Sequence, residues 1–198
     1  MIMQGREYLF YKNSDNEKKK PELNLSSLED KEWREFKIND ILKVSGTITT
    51  HPSNLIKGGK TPRITCAATN NGLDDVYENE PTEKGGVLTV DSATVGFVSY
   101  QEVDFIATDH VEKLSMKNGQ PINRYVGLFL VRAITSATAD KYGYGYKFSQ
   151  SRIKKQTIIL PINSNNEPDY LYMENYMKTL EYEKLKRYLD YKKLSAKQ

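Results

Sequence analysis

The chain has 198 residues, of which 38 % are hydrophobic and 28 % are charged. This composition is typical of a globular protein that buries a core, and the single cysteine, Cys66, excludes an internal disulfide. No apolar run reaches the ~18 residues of a membrane span, and the first residues lack the apolar region of a secretory signal. We therefore expect a cytoplasmic protein without a membrane anchor.

The net charge of +3 is small, but the charges are unevenly distributed along the chain. Residues 41–73 and residues 141–155 contain bases and no acid, whereas residues 74–91 are rich in acids. The bases are Lys43, Lys57, Lys60 and Arg63 in the first stretch, and Lys141, Lys147, Arg152, Lys154 and Lys155 in the second. If the two stretches meet in the fold, they form a positive face suited to a polyanion; ordinary solvated surface is the alternative.

The N-terminal part differs in texture from the rest of the chain. Residues 1–32 are predicted to be a flexible segment or a linker, because residues 13–24 are almost wholly polar and include three consecutive lysines followed by a proline. A domain is expected over residues 33–167. At its start, Trp33, Phe36, Ile38 and Ile41 form a pattern typical of burial.

Short apolar runs separated by turn signals predict a mostly β region from about residue 36 to residue 116. The predicted strands are residues 61–69, 87–90, 94–100, 103–107 and 111–116. Gly58-Gly59 is expected to interrupt the chain before the first of them. Asn70-Asn71-Gly72 predicts a tight turn after it, since Asn and Gly tolerate the positive φ that such turns need.

The texture changes after residue 116. Residues 124–134 are long and apolar, and they fit a buried helix or a buried strand; we favour a helix. Residues 142–152 are rich in Gly and Tyr and predict a loop. Residues 156–162 predict a strand that ends at Pro161, and residues 163–168 predict a second loop.

A single long helix is predicted over residues 169–194, within a C-terminal segment of residues 168–198. Neither Gly nor Pro interrupts it, and Pro168 and Asp169 suit a helix start. Its apolar residues form two stripes, which indicates two neighbours. At roughly 39 Å, the helix is longer than a domain of about 160 residues needs for its own core, so we expect it to project and to pair with a partner. Folding wholly onto its own domain is the alternative. The predicted partner residues are Met173, Tyr176, Met177, Leu180, Leu185, Tyr188 and Leu189.

Motifs of catalysis are missing from the sequence. Two histidines and one cysteine give no metal-ligand spacing, and neither a G-x-S-x-G elbow nor a phosphate-binding glycine loop occurs. An amino-methyltransferase tetrapeptide and a nuclease carboxylate–lysine motif are also missing. We therefore expect no enzyme activity, no metal and no cofactor.

The sequence does contain patterns typical of DNA binding. Residues 141–152 interleave bases, tyrosines and amides, which can hold phosphates, stack and read base edges. Residues 61–72 offer polar side chains on a turn. The predicted DNA-binding residues are Lys57, Lys60, Arg63, Thr69, Asn70, Asn71, Tyr100, Gln101, Lys141, Tyr142, Tyr144, Lys147, Gln150, Arg152 and Lys154. A mobile surface loop and simple turn chemistry are the alternatives.

The ordered set of segments resembles the specificity subunits of type I restriction–modification systems, and those of type IIB systems. The matching segments are EWREFKINDIL, GGKTPRITCAATNNGL, GGVLTVDSATVGFVSYQEVDFIATDHVEKL, NRYVGLFL and KFSQSRIKKQTIILPINSNNEPDYLYMENYMKTL. IILPI followed by EPDYLYMENYM is the most specific part. The resemblance covers about residues 33–185.

The resemblance implies an α+β fold, in which a compact β-rich target-recognition domain precedes a long spacer helix. It also implies double-stranded DNA and a methyltransferase subunit as partners, with a restriction subunit as a further possibility. Typical type I subunits have two recognition domains and two helices, whereas this chain has one of each. We therefore expect a half-subunit that forms a homodimer on a bipartite site. The DNA-contacting positions vary in the family, so none is carried over.

Two other functions stay open at this point. The chain could be the DNA-recognition part of a fused single-chain restriction–modification enzyme, with residues 1–32 as the linker. It could also be a structural assembly protein that acts through its long helix and does not bind nucleic acid.

Overall fold

A computed structural model describes residues 27–195, without the side chain of Leu194. Most of the predicted flexible segment, residues 1–26, lies outside the described residues. The chain divides into two compact units, Ser26–Lys178 and a second one to which residues 179–195 belong. The architecture below is that of the first unit, except where the long helix continues into the second.

A two-stranded antiparallel sheet joins the two ends of the first unit. Strand β1 (Trp33–Lys37) pairs with β9 (Thr157–Pro161), and the short helix α1 (Ile38–Ile41) follows β1. Of the predicted buried set, Ile38 alone is fully buried. Trp33 is 39 % exposed, because β1 lies at a sheet edge and the indole stacks on Phe129 from outside the core. The prediction that Trp33 is buried was therefore wrong.

The central sheet has four antiparallel strands in the order β2-β8-β5-β6. These strands are β2 (Leu42–Gly46), β5 (Val87–Asp91), β6 (Val98–Gln101) and β8 (Val111–Met116). Every residue of β5 is buried, as expected for a central strand that is covered on both faces. The predicted strands at residues 87–90 and 111–116 are confirmed.

The predicted strand at residues 94–100 begins later than expected, at Val98. The reason is the side chain of Asp91, whose carboxylate accepts hydrogen bonds from the amides of Ala93 (2.7 Å) and Thr94 (3.1 Å). These bonds hold the chain in a turn where alternation alone predicts a strand.

The third sheet has the order β4-β3-β7, with β3 (Lys57–Ile64), β4 (Leu73–Tyr77) and β7 (Ile106–Ala107). The sequence predicted that β3 covers residues 61–69 and that Gly58-Gly59 interrupts the chain before it. Both predictions were wrong. Lys57 and Thr61 both lie opposite Tyr77, so the residues between them bulge from the strand. Gly59 has φ +75°, and a Cβ there would lie 2.4 Å from the Tyr77 carbonyl oxygen. The bulge therefore requires this glycine inside the strand.

The predicted turn at residues 70–72 is confirmed as a short 3-10 turn with positive φ at all three residues. The predicted strand at residues 103–107 shrinks to the two residues of β7. Two sheets and a strand pair built from short strands agree with the predicted β region.

Helix α2 (Arg124–Thr138) confirms the helical interpretation of residues 124–134. The side chain of Asn123 caps it by accepting a hydrogen bond from the Tyr125 amide at 2.9 Å. Its inner face packs into the main core with the central sheet and β9. Residues 150–155 form a short helix, α3 (Gln150–Lys155), where a loop was predicted over 142–152. Six residues are too few for helical periodicity to be recognised.

The long helix, α4, spans Tyr170–Ser195 and confirms the predicted helix over 169–194. Asp169 precedes it, accepts a hydrogen bond from the Tyr172 amide at 2.9 Å and pairs with Lys31 at 2.7 Å. Met173 is fully buried in the main core, and Tyr176 and Met177 pack against that core. The α+β prediction with a long C-terminal helix is confirmed. No helix among residues 27–195 is long and apolar enough to cross a membrane.

Candidate nucleic-acid interface

After α2 the chain forms a tight hairpin that we call the tyrosine hairpin, residues 142–147. The backbones of Gly143 and Tyr146 exchange two hydrogen bonds, of 3.2 and 3.0 Å, so that Tyr144 and Gly145 form the tip. The side chain of Tyr144 is 86 % exposed. The hairpin therefore presents one aromatic ring to solvent at its tip.

Stacked rings brace the base of the hairpin. The Tyr142 ring stacks on Tyr146 with centroids 5.7 Å apart, and on the fully buried Phe148 with centroids 4.4 Å apart. The guanidinium of Arg152 lies 3.7 Å from the centroid of the Tyr146 ring and donates to the Lys147 carbonyl at 2.6 Å. Phe148 in turn packs on Gly96, where a Cβ would lie 2.4 Å from its ring. Helix α3, the hairpin and the turn after β5 therefore fix one another.

The phenol of Tyr142 donates a hydrogen bond to the side-chain oxygen of Gln156 at 3.0 Å. Burial raises the pKa of this phenol, the neighbouring Tyr146 adds to the effect, and Arg152 opposes it. The phenol is therefore a neutral donor at physiological pH.

The polar residues of α3 have partners on β8 and on each other. Gln150 donates to the Glu112 carboxylate at 2.7 Å, and Lys154 donates to the Gln150 side-chain oxygen at 3.2 Å. Lys141 and Lys147 are exposed, and within residues 27–195 no acid forms an ion pair with either. The free positive charge of this region is thus carried by Lys141 just before the hairpin, by Lys147 at its end and by Lys155 at the end of α3.

A second group of predicted DNA-binding residues lies on β3. Lys57 and Lys60 are exposed at the bulge. Arg63 is different: its guanidinium pairs with Asp74 at 2.8 Å, and its side chain is only 11 % exposed. This ion pair neutralises the charge that the prediction assigned to DNA.

The predicted residues around the 70–72 turn hold the protein together. Asn71 donates to the Tyr100 carbonyl at 2.8 Å, and Gln101 donates to the Asn71 carbonyl at 3.1 Å and to Thr89 at 3.0 Å. Gln101 is 6 % exposed, and the Tyr100 phenol donates to the Ile122 carbonyl at 2.8 Å. Thr69 and Asn70 are exposed on the turn. Burial therefore disfavours DNA contact by Gln101, and the hydrogen bonds already made within the protein disfavour it for the exposed Asn71 and the half-buried Tyr100.

The first basic stretch is divided between two sheets, and only its part on β2 lies beside an element of the second stretch. Helix α3 packs on β2, the strand that carries Lys43, whereas Lys57 and Lys60 belong to the sheet β4-β3-β7. The predicted set omitted Tyr146, which takes part in the ring stack, although tyrosines at every second position of 142–146 could have indicated a hairpin with one braced side.

Among residues 27–195, no group of three His, Cys, Asp or Glu side chains could hold a metal ion.

Comparison with known proteins gives the class. The family profile of the type I restriction modification DNA specificity domain matches residues 30–189, so the chain belongs to this family. The chain carries a DNA specificity domain of a restriction–modification system.

A curated relative is the type II restriction enzyme specificity subunit S.BcgI of Heyndrickxia coagulans, which is 32 % identical over 172 residues. The alignment covers 86 % of this chain and 50 % of that subunit, so the chain spans about half the length of the relative.

Solved structures show the same fold. The S subunit of a type I restriction–modification system from M. genitalium superposes with a TM-score of 0.55 at 14 % identity, over 87 % of this chain and 44 % of that one. The HsdS subunit from Thermoanaerobacter tengcongensis superposes with a TM-score of 0.52 at 10 % identity, over 82 % of this chain and 40 % of that one.

Proposed function

We propose that the chain reads one half of a bipartite DNA site and directs a separate methyltransferase, possessing no catalytic activity of its own. The family match and the relative's description as a specificity subunit support this role. The observation that carries it is the tyrosine hairpin with the basic residues on and beside it. We expect the chain to act in the cytoplasm, to bind double-stranded DNA and to need no cofactor.

Two glycines beside the tip support an external ligand. Gly143 and Gly145 do not have the positive φ of six other glycines in the described chain, and a Cβ on either would meet no heavy atom within 4 Å. Neither the backbone conformation nor the packing of the hairpin therefore requires glycine. Close approach of a DNA groove to the hairpin backbone explains the two glycines, since only glycine has no side chain to fill that space.

The bracing of the hairpin also favours recognition. The stack of Tyr142 with Tyr146 and Phe148 and the Arg152 contact restrict the hairpin before binding. A pre-ordered loop loses less conformational entropy when it binds, so more of the contact energy remains as affinity. In the proposed complex, Tyr144 reaches the bases while Lys141 and Lys147 contact phosphates.

In this proposal, a second copy of the chain reads the other half of the bipartite DNA site. The chain spans about half of its curated relative, as expected for one recognition unit of two. The exposed apolar residues of the long helix, Tyr188 (48 %) and Leu189 (42 %), with the half-buried Leu180 and Leu185, form the proposed pairing surface. Met173 is excluded because it is fully buried in its own core, and Tyr176 and Met177 pack there as well. A recognition part within a longer fused enzyme is the alternative that the same coverage allows.

The DNA-binding proposal is tested with the full chain, alone and co-expressed with its methyltransferase. The logarithm of its affinity for duplex DNA is expected to fall linearly with the logarithm of salt, with a slope of about −0.9 for each phosphate contacted. Replacing Lys141, Lys147 and Lys154 by Glu should abolish binding.

The matched control replaces Lys117, Lys184 and Lys186 by Glu, which changes the net charge equally at exposed positions. Equal loss in both variants would mean that net charge, and not this surface, drives binding, and the proposal would be abandoned. Co-purification of the chain with a methyltransferase, together with no turnover by the chain alone, tests the assignment as a non-catalytic subunit.

A further inference from the structure

A cleft of about 310 Å³ lies between the tyrosine hairpin, the end of α3 and the start of β9. Its lining includes Lys141, Tyr142, Tyr146, Arg152, Lys155 and Gln156. This volume is at the lower end of the range for ligand sites, so the cleft suits one small group and not a whole cofactor.

The lining of the cleft is cationic. Lys141, Arg152 and Lys155 each contribute a positive charge, and in the part of the chain that the structure describes no carboxylate lines the cleft. Within residues 27–195, the ammonium groups of Lys141 and Lys155 have neither a hydrogen bond nor an ion pair. Three close positive charges repel one another, and an anion between them would relieve that repulsion.

The neutral groups of the cleft are already engaged with each other. Gln156 is 6 % exposed; it accepts from the Tyr142 phenol at 3.0 Å and donates to the Thr157 carbonyl at 2.6 Å. The Arg152 guanidinium is held over the Tyr146 ring, 3.7 Å from its centroid, while one of its N–H groups donates to the Lys147 carbonyl. The side chains of Tyr142, Gln156 and Arg152 are thus held in place, and Lys141 and Lys155 are available to bind a ligand.

We propose that this cleft binds one phosphodiester group of the DNA backbone beside the bases that the hairpin tip reads. This inference rests on the proposed function and deepens it. A phosphate carries one negative charge in a compact tetrahedral group, and Lys and Arg are the side chains that hold it. Because every nucleotide has the same phosphate, the cleft fixes the position of the hairpin along the duplex without contributing to sequence discrimination.

The decisive variant replaces Lys141 and Lys155 by Gln. Both lysines are exposed and their removal relieves charge repulsion, so the fold should melt at the wild-type temperature or slightly above it. On a random-sequence duplex and on the cognate site, affinity should fall by the same factor, and the salt slope should decrease in magnitude by about 1, the loss expected for one phosphate. The matched control replaces Lys117 and Lys186 by Gln, with the same charge change and an unchanged slope expected.

Each outcome of this experiment has a defined meaning. If the Lys141 and Lys155 double variant has the same salt slope as the control variant, the cleft is not a phosphate site. The proposed function still holds in that case, provided that the wild-type chain binds DNA. A wild-type chain that binds no duplex at low salt, with or without its methyltransferase, refutes the proposed function itself.

A second arm separates DNA phosphate from free phosphate. Inorganic phosphate, or a deoxynucleoside monophosphate, is added to the wild type and to the Lys141 and Lys155 double variant while the melting temperature is followed. If millimolar phosphate stabilises the wild type alone and the DNA salt slope is the same in both proteins, the cleft serves a small free anion, and the DNA assignment is wrong.

Discussion

The turn that follows β5 gives the most direct test of how the recognition hairpin is held in place. The carboxylate of Asp91, 3 % exposed, accepts hydrogen bonds from the amides of Ala93 (2.7 Å), Thr94 (3.1 Å) and Gly96 (3.4 Å), and from the Thr94 hydroxyl. This turn places Gly96 against Phe148, the buried ring under the hairpin. We predict that Asp91→Ala destabilises the domain and releases the hairpin.

The magnitude follows from the bonds that are lost. A buried donor left without a partner costs about 1–3 kcal/mol. The Ala93 and Thr94 amides lose short bonds, whereas the Gly96 bond is long and the Thr94 hydroxyl can rotate towards water. Counting two donors gives a loss of about 2–6 kcal/mol in the free energy of unfolding. Both amides bond to the same oxygen, Oδ1, which Asp91→Asn keeps. We therefore expect a smaller loss, which comes from the weaker neutral acceptor and from an NH2 group placed against the Gly96 amide.

Urea denaturation of the full-length wild type and both variants measures the effect. Glu80→Ala is the control, because Glu80 is exposed and its carboxylate makes no hydrogen bond or ion pair to any residue of 27–195. The free energy of unfolding should decrease from the wild type to Asp91→Asn and further to Asp91→Ala. Its dependence on urea concentration should be similar in all three proteins. A change below about 1 kcal/mol for Asp91→Ala would refute the reasoning, since two partly buried amides left without an acceptor should together cost more than that.

Three further predictions concern the tip, the single thiol and the long helix. Gly145→Ala should leave the protein equally stable, or more stable by up to about 1 kcal/mol, but should weaken DNA binding measured by gel shift. Burial raises the pKa of the Cys66 thiol from 9.0 to about 12, and the nearby Asp91 carboxylate adds to this shift. At pH 8 the folded protein should therefore react with iodoacetamide at least about tenfold more slowly than the urea-unfolded chain, because the raised pKa lowers the thiolate fraction by more than the higher nucleophilicity of that thiolate restores. Replacing Leu185, Tyr188 and Leu189 by Asp should reduce the mass in light scattering to that of one chain while the melting temperature of the domain stays unchanged.

Each of these has an outcome that counts against it. A Gly145→Ala variant with wild-type DNA affinity would remove the argument for close approach at the tip. Equal alkylation rates with and without urea would mean that Cys66 is more accessible than its surroundings indicate. The matched control replaces Lys184, Lys186 and Lys193 by Gln, which gives the same charge change at exposed positions of the helix. An unchanged mass for the helix variant would show that these apolar residues do not pair copies of the chain.

Local patterns predicted the elements that depend on local chemistry. The helices at 124–138 and 170–195 were predicted because long windows show their composition and their caps, such as Asp169. The strand at 111–116 was predicted from its apolar alternation, and the Asn-Asn-Gly turn from residues that tolerate positive φ. Element boundaries that depend on one side chain, such as the turn made by Asp91, were missed.

The candidate site was less predictable, because sequence shows which groups are present but not which are already bound. Arg63 looks like a DNA ligand until Asp74 is found beside it. Gln101 looks like a base reader until its burial against Thr89 is known. Both residues find partners far away in the chain, and no local pattern contains that information.

The sequence by itself determined the class of protein, the long helix and the basic, tyrosine-rich segment, because each depends on residues adjacent in the chain. The tertiary structure alone decided that this segment is a braced hairpin and that Lys141 meets Lys155 across a cleft. The physical reason is that packing and hydrogen bonding between distant residues set which charges are neutralised and which stay free to bind.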